Sequence, residues 1–177
     1  MQRMANYDKT FLIDHTESIL ITGSSGFIGR QVVGHLLEKG FSNIRCLARE
    51  SSDIRGLSEI IKHKEGEGKA TIIQGNLLSI DDCLRITEGV KLIFHLAAGT
   101  GTKSFSEAYL NSVITTRNLI EAALYHRCLK RFVNVSSFAV YTNGSKKPGR
   151  VLDETCPVEP SPQTRAEAYC YGKVKQD

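Results

Sequence analysis

Apolar residues in this chain fall into short dense runs, separated by longer stretches in which they return every three or four positions. Ser18–Thr22 ("SILIT") has the length and β-branching of a buried strand. Beyond three glycines, Ile28, Val32, Val33, Leu36 and Leu37 recur at helical spacing, and Gly40 stands where a helix C-cap is expected. The alternation continues. A strand is predicted over 43–49, and then a short helix through Ile54, Leu57, Ile60 and Ile61 that the Gly66/Gly68 loop ends. A third strand follows at 70–74, then a helix capped by Ser79, with Asp82 three residues on and Gly89 closing it. A strand at 91–97, a long amphipathic helix at 106–126 and a strand at 131–136 complete the repeat. Residues 143–162 are dominated by Gly, Pro, Ser and charge and read as a long loop over a site, after which a helix starts at Arg165. Strict strand–helix alternation predicts an α/β fold, a doubly wound parallel sheet with right-handed crossovers. Residues 17–177 are read as one domain and residues 1–16 as a loose N-terminal extension.

Composition narrows the function classes. With 177 residues, 41% apolar and 24% charged, the chain suits one domain with a full-sized core. The net charge of +4 is spread out, and "KHKEGEGK" (62–69) is a mixed-sign loop with no aromatic interleaving, so no nucleic-acid partner is expected. The five cysteines are odd in number, widely spaced and form no CxxC pair. That pattern predicts reduced thiols in a cytoplasmic protein, with neither a disulfide frame nor a metal site. No apolar run approaches the roughly 18 residues of a membrane span, and "MQRMANYDKTF" has no signal-peptide core, so no membrane association is expected.

Gly23, Gly26 and Gly29 form GxxGxxG between the first strand and its helix. A pyrophosphate approaches such a turn only where no side chain blocks it, and the N–H groups of the helix start then face the phosphates. The turn "GSSGFIG" therefore predicts a dinucleotide cradle made of Gly23, Ser24, Ser25, Gly26, Phe27, Ile28 and Gly29. The second strand runs out as "LARESS". An acidic residue at its end would suit the ribose hydroxyls of NAD, whereas Arg49 suits the 2′-phosphate of NADP, with Arg55 in reserve. NADP is the expected cofactor and NAD the alternative.

Four segments in order, "TGSSGFIG" (22–29), "FHLAA" (94–98), "NVSSFAVY" (134–141) and "YCYGK" (169–173), give the chain a resemblance to the extended short-chain dehydrogenase/reductase family, the NAD-dependent epimerase/dehydratase group. The resemblance spans nearly all of 19–177 and implies a Rossmann-type fold. It also implies hydride transfer between nicotinamide C4 and a secondary alcohol or ketone, in the family a nucleotide sugar or a flavonoid-like or sterol-like ketone. By the same resemblance Tyr169 is the general acid/base, Lys173 its partner and Ser137 the hydroxyl that bonds the reacting oxygen. Leu96, Ala97 and Ala98 lie along the cofactor, Asn76 and Leu77 stand near the adenine, and Asn111 holds a family helix position. The physics agrees on Tyr169 and Lys173: four apart, they share a helix face, and an ammonium beside a phenol favours phenolate. Tyr171 and Lys175 form a competing pair in the same spacing, and Ser136 competes with Ser137. Asn76, where the family usually has Asp, and Gly172, where it usually has Ser or Thr, are departures.

Full-length relatives continue past the catalytic helix, so the resemblance implies a sheet truncated after that helix and a substrate domain that is absent. Two readings follow. One is the cofactor half of an oxidoreductase, epimerase or dehydratase with a small-molecule substrate; the other is a nucleotide-binding or interaction module without turnover. Little or no turnover is expected from these residues alone. A homodimer through the helices at 106–126 and 165–177, as in full-length relatives, is expected to be weakened.

Overall fold

The computed structural model describes residues 11–64, 66, 68–99, 101, 104–142, 151–165 and 167–177. Five strands, β1 (Ser18–Thr22), β2 (Ile44–Ala48), β3 (Ala70–Gln74), β4 (Val90–His95) and β5 (Arg131–Asn134), form one parallel sheet in the order β3-β2-β1-β4-β5. Between them run α1 (Phe27–Glu38), α2 (Arg55–His63), α3 (Ile80–Thr87) and the composite helix α4 (Phe105–Ala108) and α5 (Thr115–His126), whose two parts are joined by a π-helical turn, Tyr109–Ile114. The last helix, α6 (Ala168–Gln176), follows a 3₁₀ turn, Pro162–Arg165. The α/β doubly wound sheet expected from the alternating runs is therefore the observed one.

Every residue of β1 is buried, because the strand sits at the centre of the sheet with helices on both faces. Ile19 and Ile21 point into a core shared with Val33, Leu37 and Leu57 of α1 and α2. Leu20 points the other way, into a core shared with Cys83, Ile86, Leu119 and Ala122 of α3 and α5. Two-residue periodicity thus feeds two cores from one strand, which is why the sequence shows a solid apolar run and no alternation.

Helix boundaries follow local chemistry. Ser79 Oγ accepts from Asp82 N at 3.2 Å and starts α3, while Gly40 and Gly89 adopt the left-handed conformation after α1 and α3. The expected strand ends at 49, 97 and 136 overrun: β2, β4 and β5 stop at Ala48, His95 and Asn134, where the backbone turns into the loops that line the site. Residues 11–16 do not all trail loosely: alternate side chains reach the domain, while Leu12, Asp14 and Thr16 are exposed. Ile13 is buried, and Phe11 meets the Phe41 ring edge-on at 5.3 Å between centroids. Residues 1–10 and the first part of the 143–162 loop, 143–150, lie outside the described residues. Burial raises the Cys46 thiol to about 12 and that of Cys83 to about 11, so both stay protonated. No described helix is long and apolar enough to cross a membrane.

Candidate functional site

The turn after β1 is shaped by steric exclusion. Gly23 has φ +65°, and a Cβ there would sit 2.8 Å from Ala97 N and the Leu96 carbonyl carbon. A Cβ on Gly29 would overlap the Gly23 carbonyl oxygen. These two glycines let the first turn of α1 close against the ends of β1 and β4. Gly26 is the N-cap of α1, and no side chain caps that helix start. Its first N–H groups and the positive end of its dipole are thereby left to an anion, which is the chemistry a pyrophosphate needs.

The turn opens onto a cavity of about 840 Å³ at the C-terminal ends of the strands, where the sheet order reverses between β1 and β4. Of the predicted cradle, Gly23, Ser25, Gly26, Phe27, Ile28 and Gly29 line it. Ser24 does not: its side chain is fully buried and donates to Leu47 O at 2.9 Å, tying the turn to β2. Leu96, Ala97 and Ala98 form the β4 wall, Asn76 and Leu77 another, and Asn111 reaches in from the π-helical turn. Leu47, Ser52, Gly75, Leu78, Gly99, Glu107 and Thr115 also line the cavity. None of these carried a sequence signal, because each enters through the placement of a loop or a helix face and not through a motif.

Arg49 stands exposed at the end of β2, lines this cavity and also a neighbouring hollow of about 630 Å³, and its side chain has no ion-pair partner among the described residues. Arg55 is committed elsewhere: Asp53 grips it bidentately at 3.0 and 2.7 Å, and that pairing holds the Asp53 carboxyl far below its usual range. Asn76 lies where the adenine was expected, but its Oδ1 already accepts from Leu78 N at 3.0 Å. Its backbone N–H donates to Asp82 Oδ2 at 2.8 Å, so the residue shapes the loop as well as the wall.

The tyrosine–lysine constellation lies on α6, beside this cavity and outside its lining. Lys173 is 1% exposed, and its ammonium donates to Val135 O at 2.7 Å and Gln176 Oε1 at 2.5 Å. Burial pulls its pKa down, and the nearby Asp177 carboxylate acts against that. Tyr169 is half-buried, and its hydroxyl has no hydrogen-bond partner among the described residues. The competing pair is placed differently: Lys175 is exposed, and the Tyr171 ring packs on Phe105 at 5.0 Å. The two serines are both engaged. Ser137 Oγ accepts from Ala139 N at 3.2 Å and caps a 3₁₀ turn, Phe138–Val140; Ser136 Oγ bonds Asp177 Oδ2. Gly172 explains its own departure, since a Cβ there would stand 3.1 Å from Ala108 O and from Ser112 Oγ.

His95, fully buried on β4, bonds Thr22 Oγ1 through Nδ1 and Thr116 Oγ1 through Nε2, each at 2.8 Å. Burial, seconded by the Lys173 charge, lowers its pKa to about 4. Among the described residues, no three of His, Cys, Asp or Glu gather where a metal ion would bind.

The family model described as "NAD dependent epimerase/dehydratase family" matches residues 19–176. Cinnamoyl-CoA reductase 1 of Petunia hybrida is 32% identical over 160 residues, covering 88% of this chain and 46% of the relative. A UDP-glucose 4-epimerase of Halalkalibacterium halodurans is 29% identical over 154 residues, covering 84% of this chain and 43% of the relative. The crystal structure of gox2253 superposes with a TM-score of 0.73 at 29% identity, covering 91% of this chain and 45% of its own. The dTDP-glucose 4,6-dehydratase DesIV of Streptomyces venezuelae, solved with NAD and TYD bound, shares the fold with a TM-score of 0.72 at 24% identity, covering 90% and 49%. The chain spans about half the length of the curated relatives it matches.

Proposed function

Because the chain belongs to the NAD dependent epimerase/dehydratase family, we propose that residues 17–177 bind a nicotinamide dinucleotide in the cavity at the β1–β4 crevice, as the cofactor domain of an oxidoreductase, epimerase or dehydratase. The observation that carries this is the uncapped start of α1, opened by Gly23, Gly26 and Gly29 onto that cavity. The family's cofactor class is nicotinamide, and the free Arg49 guanidinium on the cavity wall favours NADP over NAD. When bound, the nicotinamide supplies hydride transfer at its C4. Ser25, Gly26 and Phe27 bind through the helix start, and Ala97 and Ala98 keep the β4 wall low enough for a ring to lie along it.

Tyr169 moves the proton at its phenol oxygen, and Lys173, a turn away on the same helix face, is its cationic partner. Ser137 orients the reacting oxygen with the hydroxyl proton that its capping bond leaves unused. The substrate is read as a small molecule, first a nucleotide sugar as in the epimerase and dehydratase relatives. Reduction of a carbonyl, as the name of the Petunia relative implies, is the second reading; the identity to that relative and the NADP-type arginine favour it.

Thermal denaturation with NADP⁺, NAD⁺ or no nucleotide tests the binding reading. Nucleotide at about 100 times its dissociation constant stabilises by roughly 2.7 kcal/mol, a shift of a few degrees. A larger shift with NADP⁺ is expected. Unchanged melting with both nucleotides overturns the proposal.

A further inference from the structure

The hydrogen bonds around His95 run to Gln176, a residue that no motif marks. Thr22 Oγ1 accepts from Leu96 N and Ala97 N, both at 3.2 Å, so its own proton goes to His95 Nδ1. The Thr116 hydroxyl donates to Ser112 O at 2.6 Å, so its oxygen must accept from His95 Nε2–H. The same oxygen accepts from Gln176 Nε2 at 2.9 Å. Gln176 Nε2 also donates to Asn134 Oδ1 at 3.1 Å, and Asn134 is held in that orientation because its Nδ2 donates to Asp177 Oδ1 at 3.0 Å. Both amide hydrogens of Gln176 are therefore spent on acceptors, and only its carbonyl oxygen is left for Lys173. One arrangement of protons satisfies every group. Turning the Gln176 amide over would set its NH₂ against an ammonium and its oxygen against two acceptors.

We propose that Gln176 is a positioning residue for Lys173, and that Thr22, a neutral Nε2–H His95 and Thr116 form a one-way hydrogen-bond line that fixes which end of the Gln176 amide meets the ammonium. The line starts one residue before the glycine turn and reaches the lysine through buried side chains of β1, β4 and α5 and the half-buried Gln176 of α6. Its effect is to give a nearly inaccessible ammonium two fixed oxygen acceptors, Val135 O and Gln176 Oε1, while leaving its third hydrogen uncommitted. Among the described residues, the titratable groups that act on Lys173 are His95 and Asp177, and with His95 neutral only Asp177 of the two carries charge. The role given to Lys173 rests on the proposed function; the hydrogen-bond line does not.

The test is nuclear magnetic resonance on the whole, isotope-labelled chain without nucleotide, reading the His95 imidazole nitrogens and the Lys173 ammonium titration. Wild type is expected to show the single Nε2–H tautomer. Gln176→Leu should lower the Lys173 midpoint by about one pH unit, a tenfold shift toward the amine, and Gln176→Glu should raise it. Thr116→Val should break the single His95 tautomer and lower the lysine midpoint, and Thr116→Ser should restore both. A role confined to packing would change the urea midpoint and leave the ammonium titration alone. An unmoved Lys173 midpoint in Gln176→Leu, or an Nδ1–H tautomer in wild type, overturns the proposal. If Thr116→Val fails to fold, the two Gln176 variants, at a half-buried position, still decide it. Absence of any nucleotide-induced melting shift would count against the proposed function and leave this line standing.

Discussion

Arg49 and His95 show how differently two basic side chains are used within one sheet. Arg49 is exposed, so replacing it costs the fold little, and its effect belongs to ligand choice. Arg49→Glu is expected to abolish the melting shift with NADP⁺ while keeping or enlarging that with NAD⁺; equal loss of both would sink the 2′-phosphate assignment. His95 is 1% exposed, and its ordinary pKa of 6.5 falls to about 4 in the fold. As pH drops below 6.5 the unfolded chain takes up a proton there and the native chain does not. Its contribution to stability is therefore complete above about 6.5 and is lost as pH falls through about 4. The slope is about 1.4 kcal/mol per pH unit, roughly 3 kcal/mol over that window. Urea midpoints measured across it should fall less steeply in His95→Gln than in wild type, and parallel curves would refute the buried-neutral assignment. A histidine between Phe94 and Leu96 reads from sequence as a packed, satisfied residue, and that much was legible. Its partners were not, because Thr22 and Thr116 meet it only through sheet register and helix packing.

Elements whose ends are set by local chemistry were legible: the Ser79 cap, the turns at Gly40 and Gly89, and the strand after each loop. The long helix at 106–126 hid a π-helical turn, Tyr109–Ile114, since such a turn has no composition of its own and is set by what the helix packs against. It carries Asn111 into the cavity, so the irregularity sits at the site. Docking of α6 depends on Gly172, whose missing side chain lets the helix approach Ala108 and Ser112. Gly172→Val should lift α6 and destabilise the fold by about 1–3 kcal/mol. Chemical denaturation measures the cost, and a change under 0.5 kcal/mol, the scale of ordinary surface substitutions, would show that α6 yields there without strain. The same variant should weaken the Lys173–Val135 bond, because α6 and the end of β5 are joined there.

For the whole molecule, the sheet order explains why the glycine turn, the alanines after β4 and Arg49 converge, although they lie far apart along the chain. Parallel crossovers bring every strand's C-terminal end to one edge, and the reversal between β1 and β4 leaves the crevice there. The sequence, through periodicity for the sheet, the glycine motif for the turn and the family resemblance for the alanines, predicted that convergence. It did not predict Leu47, Ser52 or Glu107 in the lining, whose positions depend on how far each loop travels before its helix begins.

The central place of β1 also governs the order in which the fold can be assembled. Its first partner, β2, is made soon after it, but Ile19 and Ile21 complete their pairing only against Leu92 and Phe94. During synthesis the most fully buried strand of the sheet therefore waits, one edge unpaired, until α3 and β4 have emerged. A nascent chain paused before β4 exposes a ready template for pairing with a neighbour, and that interval is where a chaperone would be needed most.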